Sequence, residues 1–197
     1  LSYLDPKDLP RKWGSIGVGI PNVDLFVADQ DGNRLPPGEV GEIVARGSNM
    51  MTEYWKDPEG THNILRKGLD WTGDLGKMDE EGFTFVVGRS KDMIKVGGER
   101  VSAKEIEEKI LENNGVHEIA VIGVPDEMLG EAIKAYIVPK NKNELSENDI
   151  KSFLKGQLQN IKIPKFIEFR ESLPKNESGK ILKPKLREEV EKQKDNN

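Results

Sequence analysis

The hydrophobic pattern of this chain changes once, between residues 88 and 102, and that change constrains the fold. Residues 16–88 hold short apolar runs separated by turns rich in Gly and Pro, a pattern typical of β-strands. After residue 102, stretches with apolar residues at helical spacing alternate with nearly continuous apolar runs. Because 197 residues are enough for two small cores, we predict two domains, residues 1–88 and 89–197.

The first domain is predicted to be a meander of short strands. Val23, Leu25 and Val27 lie at every second position, and further strand-like runs cover residues 40–46 and 83–87. The dipeptide Asp31-Gly32 predicts a turn after the first of these runs. The fold class of the whole chain is therefore mixed α/β (α+β), with the β-rich part first.

The second domain is predicted to be a sheet covered by helices. Ser102 with Glu105, and Ser146 with Asp149, are spaced as capping boxes, so each Ser predicts the beginning of a helix. The other predicted elements follow from apolar runs and breakers: a first helix over 103–114, strands at 119–124, 132–138 and 165–170, a last helix from Pro184 through Glu191, and a frayed end at 192–197.

Composition excludes several classes of function. A formal net charge of −5 argues against a general nucleic-acid or membrane surface, which needs an excess of cations. The absence of Cys excludes disulfides and thiolate metal sites and is compatible with the cytoplasm. No apolar run reaches the length of about 18 residues that a membrane span needs. We expect a cytoplasmic protein without a transmembrane segment and without a nucleic-acid partner.

One segment, residues 88–107, concentrates the positive charge. Four of its five cations are Arg89, Lys91, Lys95 and Arg100. They surround Gly97-Gly98, and adjacent glycines let a backbone approach a ligand closely. We interpret the segment as a flexible, anion-binding loop, against the alternative that the cations form a solvated surface.

Two residues outside this segment are candidates for nucleotide chemistry, each with a plain alternative. Asp74, in Thr72-Gly73-Asp74, is predicted at a strand end, where one carboxylate can accept both hydroxyls of a ribose or simply cap a turn. Lys180 follows Ser178-Gly179 in a polar loop, where its ammonium can stabilise phosphate charge or remain solvated. His62 and His117 lie far apart, so the sequence predicts no metal site.

Taken in order, five segments resemble the C-terminal part of the adenylate-forming superfamily, which includes acyl-CoA synthetases, adenylation domains of nonribosomal peptide synthetases and luciferases. The resemblance covers nearly the whole chain, and the wording around Lys95 is closest to ligases of fatty acids or crotonobetaine- and carnitine-type acids. The matching segments are residues 38–43, 52–59, 71–75, 88–107 and 175–180.

The resemblance implies a role for each candidate residue. Asp74 and Arg89 are expected to bind the ribose of ATP and AMP, and Lys180 is expected to be the catalytic lysine of adenylation. Lys91 matches the hinge about which the small C-terminal domain rotates. After that rotation, Lys95 is expected in the active site, and Gly97, Gly98 and Arg100 in the channel for CoA.

The implied reaction has two halves, acyl-AMP formation from a carboxylic acid and ATP, then thioester formation with CoA. The acyl pocket and the glutamate associated with Mg²⁺ lie upstream in the family. We therefore expect a fragment, a β-rich subdomain of the large domain plus the mobile small domain, whose partner is the missing N-terminal portion. Alone, it is expected to be inactive in adenylation. The alternatives are an adenylation domain that loads a carrier protein and a non-catalytic interaction module.

Overall fold

The computed structural model describes residues 1–141 and 145–195, which form two compact units. The first unit is Leu1–Lys91 and the second is Asp92–Asn197. The mixed α/β class predicted from the sequence is confirmed, because both units contain sheets and helices. The predicted boundary lay slightly earlier, between residues 88 and 89, and the assignment of functional domains to the two units stays a prediction.

The first unit is built around one antiparallel sheet. Its strands are β1 (Ser2–Tyr3), β2 (Ser15–Gly19), β3 (Val23–Ala28), β4 (Gly41–Gly47), β5 (Leu65–Arg66), β6 (Leu69–Met78) and β7 (Thr84–Arg89). Their order is β1-β2-β7-β6-β4-β3, with β5 paired to β6. The path β3-β4-β6-β7 follows the predicted meander. However, β2 pairs with β7 and not with β3, an arrangement that local spacing does not encode.

A short helix interrupts the strands of the first unit. Helix α1 (Pro58–Ile64) was not predicted. It begins at Asp57, whose carboxylate accepts a hydrogen bond from the Gly60 N–H, and Pro58 occupies its first turn. These are the residue types that favour a helix start. Hydrophobic periodicity does not reveal this helix, because none of its residues is buried.

The second unit contains a five-stranded sheet with helices. Its elements are β8 (Met93–Val96), β9 (Glu99–Ser102), α2 (Ala103–Leu111), β10 (Val116–Asp126), β11 (Gly130–Pro139), α3 (Glu147–Leu154), β12 (Phe166–Phe169) and α4 (Lys183–Asp195). The sheet order is β10-β11-β8-β9, and β12 lies parallel to β11. Strand β11, which pairs with β10, β8 and β12, is therefore its centre.

The sheet of the second unit is covered on both faces, as predicted. Val121 on β10 belongs to a core that includes Ile106 of α2 and Ile150 of α3. The next residue, Ile122, belongs to a separate core with Leu186 of α4. Because neighbouring strand residues point to opposite faces, this division explains why the apolar runs are almost continuous.

The helix boundaries agree with the capping signals only in part. The box formed by Ser146 and Asp149 is present in both directions. At α2, Ser102 accepts from the Glu105 N–H, but the Glu105 carboxylate binds the ammonium of Lys162 at 2.7 and 2.9 Å. Helix α2 ends at Leu111, earlier than predicted. Helix α4 continues to Asp195, so the predicted fraying is wrong for residues 192–195, and residues 196–197 lie outside the described chain.

Candidate functional site

The Thr-Gly-Asp motif lies at a bulge within β6, not at a strand end as predicted. Pairing of β4 with β6 shifts register here, so that residues 72–74 stand opposite Ile43 alone. Gly73 has a φ of 73°, in the left-handed region that favours glycine. Its N–H donates to Oε1 of Glu42 at 3.0 Å. The bulge therefore depends on this glycine and on a glutamate of the neighbouring strand, as expected where a strand re-aims a side chain.

Asp74 and Arg89 are brought together by the sheet. They are register partners on β6 and β7, and Nε of Arg89 donates to Oδ1 of Asp74 at 2.8 Å. Arg89 is the last residue of β7, whereas the sequence predicted that it follows the strand. The two side chains are 31% and 56% exposed, so both remain accessible to a ligand. The pair also satisfies the plainer interpretation of Arg89 as a partner of a surface carboxylate.

Lys91 lies where the two units meet along the sequence. It is in a short 3₁₀ helix, Ser90–Asp92, and is the last residue of the first unit. Short 3₁₀ turns of this kind are frequent as connectors between elements. Its position is consistent with the predicted pivot, which stays a prediction.

The predicted flexible loop is a β-hairpin. Lys95 lies on β8 and Arg100 on β9, and the two are register partners. Gly97 and Gly98 form the turn between the strands, with φ values of 57° and 89°. Two consecutive residues with positive φ are what a two-residue hairpin turn of type I′ requires. Lys95 and Arg100 are both exposed, and directly opposed residues share one face, so the hairpin presents two adjacent positive charges.

The hairpin is held to the start of β11 by contacts that the sequence did not reveal. The Gly97 N–H donates to the carbonyl of Leu129 at 2.9 Å. The Lys95 N–H donates to Oε2 of Glu131 at 2.7 Å. No local spacing signals these contacts, because they follow from the pairing of β8 with β11 at Val96 and Gly130.

Lys180 closes a tight loop that precedes α4. Its N–H donates to Oδ1 of Asn176 at 2.8 Å, and its carbonyl accepts from the Asn176 N–H at 3.0 Å. Gly179 has a φ of 80°, so the turn needs a glycine before the lysine. The Lys180 side chain is exposed and has no ion pair within the described chain. Its backbone is fixed while its ammonium is available to a ligand.

Four charged side chains tie the beginning of α4 to the rest of the second unit. Nζ of Lys183 lies 2.8 Å from Oε1 of Glu107, and Nη2 of Arg187 lies 2.8 Å from Oδ1 of Asp92. Glu107 also accepts from the Val121 N–H at 2.7 Å. Burial raises the pKa of the Glu107 carboxyl, and the Lys183 charge opposes that rise. The loop of Lys180 thus leads directly into a helix anchored at Asp92.

The described residues contain neither a metal-binding cluster nor a helix that could span a membrane. No group of three or more His, Asp or Glu side chains within residues 1–141 and 145–195 is placed to hold a metal ion. In the same part of the chain, no helix has both the length and the apolar character needed to cross a membrane.

Two family models of known proteins match separate parts of the chain. Residues 2–55 match the family model described as AMP-binding enzyme, and residues 105–180 match that described as AMP-binding enzyme C-terminal domain. A long-chain-fatty-acid–CoA ligase of Escherichia coli O6:H1 is 42% identical over 196 residues. That alignment covers 100% of this chain and 35% of the ligase, so the chain spans about a third of the length of such relatives.

Two solved structures resemble the chain in fold and sequence. ATP-bound MatB from Rhodopseudomonas palustris is 40% identical with a TM-score of 0.81, over 89% of this chain and 35% of MatB. The o-succinylbenzoate CoA synthetase MenE from Bacillus subtilis, bound to the acyl-adenylate OSB-AMP, is 32% identical with a TM-score of 0.86, over 93% of this chain and 37% of MenE. The chain belongs to the adenylate-forming superfamily of AMP-binding enzymes and matches the C-terminal portion of its acyl-CoA synthetases.

Proposed function

We propose that this chain is the C-terminal part of an ATP-dependent, AMP-forming acyl-CoA synthetase that activates a carboxylic acid. The observation that carries the proposal is the 42% identity to a long-chain-fatty-acid–CoA ligase over the whole chain. Such relatedness favours a fatty acid as the first substrate to test. The acid-binding pocket and the N-terminal partner portion are proposed to belong to the part of the relatives that this chain does not match.

The Asp74–Arg89 pair is proposed to hold the ribose of ATP and of AMP. A carboxylate has about four acceptor positions, and Arg89 uses one of those on Asp74. Oδ2 of Asp74 therefore retains acceptor capacity for the adjacent ribose hydroxyls. Arg89 fixes the orientation of the carboxylate before the nucleotide arrives, which lowers the entropy cost of binding.

Lys180 is proposed as the catalytic residue of the first half-reaction. An oxygen of the substrate carboxylate attacks the α-phosphorus of ATP, the bond from this phosphorus to the bridging oxygen breaks, and pyrophosphate leaves. Negative charge accumulates around the α-phosphate in the transition state. An ammonium placed between the carboxylate and this phosphate stabilises that charge, and the exposed end of Lys180 is suited to the task.

The hairpin of β8 and β9 is proposed to act in the second half-reaction. The CoA sulfur attacks the acyl carbon of acyl-AMP, the acyl carbon–oxygen bond to AMP breaks, and the thiol proton passes to solvent. Lys95 is proposed to stabilise the departing AMP, while Gly97 and Gly98 let the pantetheine arm pass close to the backbone. Arg100, beside Lys95, adds positive charge for the CoA phosphates.

Lys91 is proposed as the hinge about which the second unit rotates between the two half-reactions. The first unit then keeps the nucleotide on Asp74 and Arg89, while the second presents Lys180 for one half-reaction and Lys95 for the other. An Mg²⁺ ion would neutralise charge on the ATP phosphates, with its ligand outside this chain. The described residues offer no cluster that fits the ion, so no step here is assigned to it. The cytoplasmic location also stays a prediction.

The proposal is tested with the full-length protein that carries this chain. We expect a long-chain fatty acid to stimulate exchange of pyrophosphate into ATP, and CoA to stimulate release of AMP. A phosphopantetheinylated carrier protein replaces CoA in a parallel assay. Acceleration by the carrier alone would favour a carrier-loading adenylation domain, and absence of carboxylate-dependent exchange would favour a non-catalytic module.

A further inference from the structure

The N–H of Lys95 is turned away from the partner strand of its hairpin. In a two-residue turn, the residues that flank the turn, here Val96 and Glu99, form the hydrogen-bonded pair. The next pair along an antiparallel ladder is not hydrogen-bonded, and its N–H and C=O groups point outward. Lys95 and Arg100 are that pair, so the Lys95 N–H must find an acceptor on the β11 side.

The acceptor on the β11 side is a side chain. Strand β11 pairs with β8 only at Gly130, opposite Val96. Where the backbone ladder stops, Oε2 of Glu131 accepts from the Lys95 N–H at 2.7 Å. A bond from a carboxylate to a backbone N–H is about twice as strong as a neutral one. Glu131 therefore anchors β8 at the residue that carries the Lys95 side chain.

Gly123 leaves the space that the Glu131 carboxylate occupies. A Cβ atom at Gly123 would lie 2.7 Å from Oε1 and 3.1 Å from Cδ of Glu131, and 3.0 Å from Cγ2 of Ile94. The backbone of Gly123 lies in β10 and has no positive φ, so its conformation does not require glycine. The missing side chain is what matters here, because it lets the carboxylate lie over β10 and reach β8.

From this geometry we infer that Glu131 is a positioning residue for thioester formation, holding Lys95 and the glycine turn in place across the space left by Gly123. The inference rests on the proposed function, in which this hairpin serves the second half-reaction. Glu131 acts through the Lys95 backbone and does not itself touch the reacting atoms. Its loss should therefore separate the two half-reactions.

The test compares Glu131→Ala with Glu131→Gln in the full-length protein. We expect Glu131→Ala to slow CoA-dependent thioester formation from supplied acyl-AMP by about 10- to 100-fold, since small misplacements of catalytic groups have effects of this size. Carboxylate-dependent pyrophosphate exchange should stay within about twofold of wild type, because Lys180 lies on a different loop. Glu131→Gln keeps an oxygen acceptor and should recover most of the rate.

Two further variants sharpen the test. Gly123→Ala should slow thioester formation like Glu131→Ala, because its methyl group displaces the carboxylate. Glu127→Ala removes the same charge from the exposed β10–β11 turn and should leave both half-reactions unchanged. Equal slowing of both half-reactions by Glu131→Ala, or no recovery in Glu131→Gln, would overturn the inference.

Hydrogen–deuterium exchange at the Lys95 amide separates this inference from the proposed function. Glu131→Ala should exchange faster at this amide than wild type, whether or not the protein is an acyl-CoA synthetase. If wild type forms no thioester while exchange responds as expected, the proposed function fails and the anchoring of the hairpin stands. Unchanged exchange in Glu131→Ala would refute the anchoring itself.

Discussion

Arg89 and Asp74 stand opposite each other on β7 and β6, and the guanidinium Nε–H of Arg89 donates to the Asp74 carboxylate over 2.8 Å. Both side chains are partly exposed, so the pair contributes only about 0–1 kcal/mol to stability. Loss of the pair should therefore change the free energy of unfolding little. The pair also holds the Asp74 carboxylate in one orientation at the surface, and we expect its role to be in ligand binding.

We predict that Asp74→Ala weakens AMP binding to the full-length protein by at least about tenfold, since a hydrogen bond to a charged group contributes about 1.5–3 kcal/mol. The midpoint of thermal unfolding should change little. Isothermal titration with AMP measures the first quantity and calorimetry the second. Asp31→Ala, at a side chain that is 83% exposed, is the matched control and should bind AMP normally. Unchanged AMP affinity in Asp74→Ala would exclude the nucleotide role.

Lys180→Ala is predicted to slow acyl-AMP formation by about 10²- to 10³-fold, the usual loss when one electrostatic donor to a transition state is removed. Thioester formation from supplied acyl-AMP should remain near wild type, and so should the unfolding midpoint. Stopped assays of pyrophosphate release and of acyl-CoA measure the two steps. Lys185→Ala, an exposed lysine in the first turn of α4, is the control. Equal effects on both half-reactions would contradict the assignment.

Much of the second unit was predictable because its signals are local. The Ser146 box and the apolar runs of β10 and β11 fix a helix start and two buried strands from a few neighbouring residues. The candidate functional site was harder to predict. The sequence predicts a flexible loop at Gly97 and Gly98, yet the same two residues suit a type I′ turn, and only the strands on either side decide between the two.

Contacts between residues far apart in the sequence could not be predicted from sequence patterns. The bulge at Gly73 depends on Glu42 of another strand, and the Lys95 amide depends on Glu131, which is 36 residues away. Such contacts arise when strands find their register, which spacing along one segment does not encode. The sequence therefore predicts the candidate site residues but not the carboxylates that hold their backbone.

Gly98→Ala is predicted to destabilise the second unit by about 1–2 kcal/mol, the cost of placing an ordinary residue in the left-handed region. Nothing lies within 4 Å of a Cβ at Gly98, so strain in the backbone, with a φ of 89°, is the cause. Gly98→Asn should cost less, because Asn adopts this conformation more readily. Urea unfolding followed by circular dichroism measures the change.

A matched control for Gly98 is available in the same unit. Gly156 has a φ of 84° and equally open space around its Cβ position. Gly156→Ala should lose similar stability while leaving thioester formation unchanged, whereas Gly98→Ala should slow that step as well. If both variants slow thioester formation to the same extent, the effect comes from stability and not from the hairpin.

The buried carboxyl of Glu107 predicts a pH dependence of stability. Burial raises its pKa in the folded protein above the ordinary value of 4.5, so the folded state binds this proton more tightly than the unfolded state does. The contribution of Glu107 to stability is therefore fully present below pH 4.5 and is lost as pH rises from 4.5 through the raised pKa.

Glu107→Gln keeps an acceptor for the Val121 N–H but does not titrate. We expect the difference in unfolding free energy, wild type minus Glu107→Gln, to fall as pH rises from about 4 to 7. Urea unfolding across this range measures the difference. Lys183→Met removes the charge that opposes the rise in the pKa of Glu107, so it should extend to higher pH the range over which the difference falls. A difference that is constant with pH, or that grows as pH rises, would show that burial does not govern this carboxyl.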